Sequence, residues 1–205
     1  MSTLPTIALL GGGQLGRMFI ENALRFPLQV LVIDPDPEAP CASLASDLRT
    51  GDLLNEQVIL EHTQNADVVG IEIEHVSVQA MQRLKAMGKR VIPDPDVLRI
   101  IQDKGSQKRF YQEHGIPTSP FVLIGSRDEL HAHTDLLPGF LKSRRGGYDG
   151  RGVMALRTGT DIAGAFEGPC VLEKQVDVAM ELAVIVVRDS HGQQVTYDPV
   201  EMVFD

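Results

Sequence analysis

The stretch IALLGGGQLGRM, residues 7–18, decides the fold. An apolar, β-rich run stops at three glycines, and apolar residues then recur at spacings of three and four. That pattern is a strand, a sharp turn and a helix. Gly11, Gly13 and Gly16 keep the G-x-G-x-x-G spacing, and Asp34 closes the next strand, near where a ribose-binding acid sits in a dinucleotide site. Glycines let the backbone turn tightly, and free N–H groups at a helix N-terminus attract phosphate oxygens. The turn therefore selects an anion. A nicotinamide dinucleotide, a phosphorylated small molecule and a merely structural turn all satisfy it, so the rest of the chain must choose.

Outward from that turn, short β-rich runs alternate with helical patterns as far as about residue 92. TIALL is followed by a helix carrying Leu15, Met18, Phe19, Ala23 and Phe26, then by the strand QVLVID (29–34). An irregular stretch with Pro35, Pro37 and Pro40 precedes a helix near NEQVILEHTQ, the strand DVVGIEIE (67–74), a helix near VQAMQRLKAM and the strand RVIP. Such alternation predicts a parallel sheet covered by helices. A helical region from about Val97 to His114 ends at HGIPTSP, where Gly115, Pro117 and Pro120 break it. Beyond it come FVLI, a short helix after Ser126, GFLKS, a glycine-rich loop, GVMAL, a helix near Asp161, CVLEKQV and MELAVIVVRD with SHGQ as a turn. This second unit reads as α+β with hairpins.

The composition narrows the partners. The chain has 205 residues, 43% of them hydrophobic, a formal net charge of -9 and no apolar run near the roughly 20 residues that span a bilayer. Surplus negative charge opposes binding to a phosphate polymer, so neither a nucleic acid nor a membrane is expected. No basic flank or cleavage site marks a secretory leader, and the expected setting is the cytoplasm. Cys41 and Cys170 have no metal or redox spacing and are expected to be structural.

FLKSRRGGYDGRGV, residues 140–153, carries the chemistry. Lys142 ends an apolar strand, which aims its ammonium from a sheet edge. Four glycines, at 146, 147, 150 and 152, follow among Arg144, Arg145, Tyr148, Asp149 and Arg151. Such a loop is cationic and rich in accessible N–H groups, which suits a nucleotide triphosphate; an exposed hairpin tip is the plainer reading. One strand later, Glu173 and Glu181 offer carboxylates to ribose hydroxyls, and the backbone of that strand offers N–H and C=O groups to a base edge.

GGGQLGRM, EIEHV, QDK followed by Lys108, PTSPF, KSRRGGYDGRG, EKQV and ELAVIVVR, taken in this order, resemble the 5-(carboxyamino)imidazole ribonucleotide synthases, ATP-dependent purine-biosynthesis enzymes of the ATP-grasp superfamily. The resemblance covers almost the whole chain. It implies an α/β fold with a Rossmann-like pre-ATP-grasp domain (1–96) and an α+β ATP-grasp lid domain. The latter comprises a linker helix (97–115), the lid (116–188) and the start of a last subdomain (189–205) that is largely missing. It implies ATP and Mg2+ as cofactors, aminoimidazole ribonucleotide and bicarbonate as substrates, and a homodimer as the assembly common in the family. The metal ligands are expected beyond YDPVEMVFD, and none is assigned within this chain. Carried over by position, Lys104, Lys142 and Gly147 through Gly152 look like phosphate ligands. Glu173, Lys174, Gln175 and Val176 look like the adenine strand, and Glu181 like the ribose ligand. Gly13, Gln14, Leu15, Glu74 and His75 resemble ribonucleotide contacts. Gly147 through Gly152, with Gly150 among them, look like the lid; Tyr148, Asp149 and Arg151 in it resemble positions near the ribonucleotide, and with Lys142 they look like the catalytic set. Lys104 stands where many relatives have Arg, which keeps the charge without the bidentate grip. An NAD-dependent oxidoreductase and a non-catalytic nucleotide-binding module are the rival readings.

Overall fold

The structure, a computed structural model, describes residues 4–147 and 152–203. Five parallel strands, β1 (Thr6–Leu10), β2 (Gln29–Asp34), β3 (Asp47–Thr50), β4 (Val68–Ile71) and β5 (Arg90–Ile92), form one sheet in the order β3-β2-β1-β4-β5. Helices α1 (Gln14–Ala23), α2 (Glu56–His62) and α3 (Val78–Ala86) connect them. Alternate strand residues go to opposite faces, and both faces are covered. Ala8, Leu10, Leu31, Ile33 and Val69 pack with Ile59, Met81 and Leu84, whereas Leu9, Val30 and Val32 pack with Ile20, Ala23 and Cys41. Each fully buried Leu or Ile contributes on the order of 1.5–3 kcal/mol, which makes these two layers the scaffold for the loops at the strand ends.

Two local readings change. The stretch after Pro40 contains the edge strand β3, concealed in the sequence because its residues Asp47 and Arg49 are polar. Of the apolar residues counted on α1, only Ala23 is buried. Leu15, Met18 and Phe19 are exposed, and the helix instead rests on Gly16, Ile20 and Ala23. Close approach at Gly16 is the reason, because a Cβ there would lie 3.0 Å from Cys41 Sγ and 3.1 Å from Leu9 Cδ2.

The expected helical region is two helices, α4 (Pro95–Ile101) and α5 (Lys104–Glu113), divided at Gln102 and Asp103. Pro95 at the first helical position and the Asp94 side chain, accepting from the Asp96 N–H, start α4. Leu98 is fully buried and joins the core of the parallel sheet, so α4 packs with the first unit. Asp103 starts α5 by accepting from the N–H groups of Gly105 and Ser106 at 2.9 and 3.1 Å.

The second unit is an antiparallel sheet of β6 (Phe121–Ile124), β7 (Gly139–Ser143), β8 (Val153–Leu156) and β9 (Cys170–Lys174), in the order β6-β9-β7-β8. Helical turns at Arg127–Leu136 and Gly159–Gly164 cover one face through Leu130 and Ile162, against Ile124, Leu141, Leu156 and Leu172. After it, MELAVIVVRD is not one strand. It divides into β10 (Leu182–Ala183) and β11 (Val186–Arg188), and β11 pairs with β12 (Gln194–Thr196) while β10 pairs with β13 (Val200–Glu201). Val184, Ile185, Val186 and Val187 are all exposed, so local pairing alone holds this part together. No described helix is long and apolar enough to cross a membrane.

Candidate functional site

In an open parallel sheet, ligands collect at the carboxyl ends of the strands where the strand order reverses. Here that place lies between β1 and β4. The glycine turn leaves β1, and EIEHV leaves β4 beside it. Gly11 takes φ +102°, and its N–H donates to the Ile33 carbonyl at 2.9 Å. The Gly12 N–H donates to Asp34 Oδ2 at 2.7 Å, and Asp34 Oδ1 accepts from the Asp36 N–H at 2.8 Å. Both oxygens of Asp34 are thus engaged in bracing the turn. Glu72 adds a second obstacle to a dinucleotide. A Cβ on Gly13 would lie 2.6 Å from Glu72 Oε1, so a carboxylate stands beside the turn and repels the charge of a pyrophosphate there. The geometry disfavours NAD.

In the antiparallel sheet, Lys142 on β7 faces Glu173 on β9, with Lys142 Nζ 3.2 Å from Glu173 Oε1. The other oxygen, Oε2, lies 3.0 Å from Lys108 Nζ on α5 and accepts from Ser119 Oγ at 2.9 Å. Lys108 also donates to Thr118 Oγ1 at 2.6 Å. Glu173 and Lys108 are both buried. Burial pushes the Glu173 carboxyl up, but the Lys108 hydrogen bond, the Lys142 charge and the Ser119 hydroxyl outweigh it and hold the group below the usual carboxylate range. Two ammonium groups against one carboxylate leave one positive charge in excess, and Lys142, the more exposed of the two, presents it.

Between the units, α5 begins in the root of the glycine loop. Arg144 grips Asp103 bidentately at 2.9 and 2.8 Å, and Arg145 Nε lies 3.5 Å from the same carboxylate. Burial would raise the Asp103 carboxyl, but the Arg144 guanidinium and the Ser106 and Gly105 amides hold it low. Lys104 Nζ donates to the Gly146 carbonyl at 2.8 Å. Gly146, Gly147 and Gly152 take φ between +67° and +73°, and the Ser143 N–H donates to the Gly152 carbonyl at 2.8 Å, which closes the loop at its base.

A cavity of about 570 Å³ lies here, and its lining includes Glu74, His75, Gln102, Lys104, Arg145 and Gly147. It joins the ribonucleotide candidates of the first unit to the phosphate candidates of the second. A smaller one of about 290 Å³ includes Gly13, Glu72 and His75. Leu15 is not brought to either; it lines an apolar cleft with Phe19, Val68 and Ile92 on the other face of the sheet. Gln14 is exposed at the start of α1. On the strand proposed for adenine, the Lys174 and Gln175 N–H groups are engaged by the Pro120 and Pro138 carbonyls at 2.9 Å each. Among the described residues Val176 N–H has no such acceptor. Lys174 and Glu181 are exposed, and the Glu181 carbonyl accepts from the Met202 N–H. Tyr148, Asp149, Gly150 and Arg151 lie outside the described residues. Sequence reasoning quoted Glu72 within EIEHV and Gln102 and Asp103 within QDK but gave none of the three a role. The signal for Asp103 was available, an Asp between two helical patterns in the position of an N-cap.

A parallel-sheet unit whose switch point opens toward an antiparallel unit, with a lysine and a glycine loop at its edge, is the arrangement of an ATP-grasp protein. Residues 4–102 match the ribonucleotide synthetase preATP-grasp domain and residues 109–204 the ATP-grasp domain. The chain carries the two domains of an ATP-grasp protein, and the proteins it is similar to include N5-carboxyaminoimidazole ribonucleotide synthases. It is 35% identical over 97% of its length to the N5-carboxyaminoimidazole ribonucleotide synthase of Brucella melitensis, covering 57% of that protein. The crystal structure of the corresponding Thermotoga maritima synthetase aligns with a TM-score of 0.85 at 32% identity, over 97% of this chain and 54% of that one. The Aspergillus clavatus synthase, solved with ADP and 5-aminoimidazole ribonucleotide, aligns with a TM-score of 0.87 at 32% identity, over 100% of this chain and 55% of that one. The chain therefore spans about half the length of these relatives.

Proposed function

We propose that the chain serves ATP-dependent carboxylation of 5-aminoimidazole ribonucleotide by bicarbonate, through carboxyphosphate, in purine biosynthesis in the cytoplasm. The observation that carries this reading is the shared cavity, in which Glu74 and His75 of the first unit line the same space as Lys104, Arg145 and Gly147 of the second. The Aspergillus clavatus relative, complexed with ADP and the ribonucleotide, supports both ligands.

In this reading Lys142 turns its surplus charge from Glu173 toward a phosphate, and Lys104 and the Gly147 and Gly152 amides complete the cradle. A bicarbonate oxygen attacks the terminal phosphorus and ADP leaves; the substrate amine then attacks the carboxyphosphate carbon, expels phosphate and gives up a proton. The protein's part is positioning and charge, which suits a site rich in cations and backbone amides and poor in nucleophiles. Val176 N–H meets the adenine edge, and Glu74 and His75 hold the ribonucleotide. Tyr148, Asp149 and Arg151 are assigned to the reacting groups from the resemblance of their motif alone, and Glu181 takes the ribose. A homodimer belongs to the same reading. Among the described residues no group of three or more His, Cys, Asp or Glu is placed to hold a metal ion.

Calorimetric titration tests this directly. ATP is expected to bind the chain and NADH is not, and Lys142→Met is expected to weaken ATP binding by about tenfold or more. Phosphate release that needs both bicarbonate and the ribonucleotide is the expected activity. ATP-dependent phosphate release unchanged in Lys142→Met would refute the assignment.

A further inference from the structure

Gln102 and Asp103, which divide α4 from α5, and Lys104, which begins α5, touch both halves of the cavity, and each uses a different group. The Gln102 side-chain amide, Nε2, donates to the Glu74 and Val76 carbonyls at 2.7 Å each. These carbonyls belong to the loop that carries Glu74 and His75. One residue on, Asp103 grips Arg144 from the opposite direction, and the Lys104 N–H donates to the Arg144 carbonyl at 2.8 Å. Arg144 lies between Lys142 and the glycines. No slack separates the two attachments, since Gln102 ends one helix and Asp103 caps the next.

We propose that Gln102 and Asp103 are positioning residues that couple the two ligand subsites, so that a nucleotide seated at the Lys142 loop tightens the ribonucleotide subsite at residues 74–76, and the converse. This rests on the functional reading above. The physical basis is reach. A bidentate guanidinium pair fixes both distance and angle, and a side-chain amide bonded to two carbonyls two residues apart fixes the curvature of their loop. A shift at Arg144 therefore moves the N-cap of α5. Because Gln102 is the adjacent residue, its amide moves with the cap and the carbonyls at Glu74 and Val76 are displaced or lost. Coupling between two sites is reciprocal by thermodynamic necessity, so either ligand serves as the probe.

Two measurements test the coupling. In the first, affinity for 5-aminoimidazole ribonucleotide is measured with and without saturating ATP. The wild-type ratio is expected to be about fivefold or more, and Gln102→Met and Asp103→Asn are each expected to bring it toward one. Asn is itself a good N-cap, so Asp103→Asn keeps the helix start while losing the ion pair. Arg144→Lys, which keeps the charge without the fork, is expected to fall between. A ratio unchanged in folded Gln102→Met and Asp103→Asn, or a wild-type ratio of one, overturns the proposal. The second is amide hydrogen exchange without ligand. Asp103→Asn is expected to speed exchange at Lys104 and Arg144 and also at Val76 and Ser77 in the other unit. Acceleration confined to 103–147 overturns the coupling. If the wild-type chain binds neither ligand yet spreads exchange this way, the functional reading fails while the coupling stands.

Discussion

Lys108 and Lys142 share one carboxylate: Glu173 lies 3.0 Å from the first through Oε2 and 3.2 Å from the second through Oε1. The two contacts differ in surroundings. Lys108 is buried to nearly the same degree as Glu173, whereas the Lys142 side chain is 32% exposed. Lys108→Met removes a buried partner and is expected to cost about 3 kcal/mol, a fall in Tm of roughly 6–12 °C, whereas Lys142→Met should cost about 1 kcal/mol or less. Thermal unfolding of the two variants checks the order. An equal loss in both would mean that burial does not set their weight.

Acid should find the same carboxylate. Unfolded Asp and Glu titrate near pH 4, while Glu173 and Asp103 are held below their ordinary range in the fold. Depressed folded values mean that the unfolded chain binds more protons on acidification. The stability these groups supply is complete above about pH 5 and is lost as pH falls below about 4.5 toward their folded values. Denaturant unfolding from pH 7 to pH 3 is expected to show that loss, and Glu173→Gln to flatten the acid slope. A slope as steep in Glu173→Gln would place the titration elsewhere.

The glycines of the opening turn are expected to differ in tolerance. A Cβ at Gly16 meets Cys41 Sγ and Leu9 Cδ2 in a packed layer, so Gly16→Ala should cost about 2 kcal/mol. A Cβ at Gly13 meets the end of the Glu72 side chain, 2.6 Å from Oε1, which is free to swing aside. Gly13→Ala should therefore cost less than about 1 kcal/mol. Chemical denaturation of both variants decides it, and a larger loss at Gly13 would show that Glu72 is rigidly held.

Neither thiol is expected to react in the folded chain. Burial raises the Cys41 thiol, assisted by the charges of Glu72 and Asp34, and burial followed by Glu167 raises Cys170. Both side chains are buried, and thiolate, the reactive form, is scarce at neutral pH. Labelling with a thiol reagent should be slow until denaturant is added. Fast labelling of Cys41 in native buffer would mean that the turn around Gly12 and Gly13 opens.

The sequence alone determined the alternation of strands and helices and the concentration of glycines and charge at 142–152. A parallel sheet followed from apolar runs alternating with helical spacing, because strands buried on both faces cannot be written any other way. Lys142 and the glycines after it stood out in the sequence because charge and glycine content are properties of a few consecutive residues. The buried side of α1 was not legible for a related reason: periodicity reports apolar residues and not the close backbone approach at Gly16 that turns the helix. Only the tertiary structure decided what Asp34 and Glu72 do, since the first spends its oxygens on Gly12 and Asp36 and the second comes from the end of β4, far along the chain, to meet Gly13. It alone joined Gln102 to the carbonyls of 74 and 76 and Asp103 to Arg144. Hydrogen bonds and ion pairs across such separations depend on how two sheets and the helix pair between them are packed, and no local pattern of residues encodes that distance.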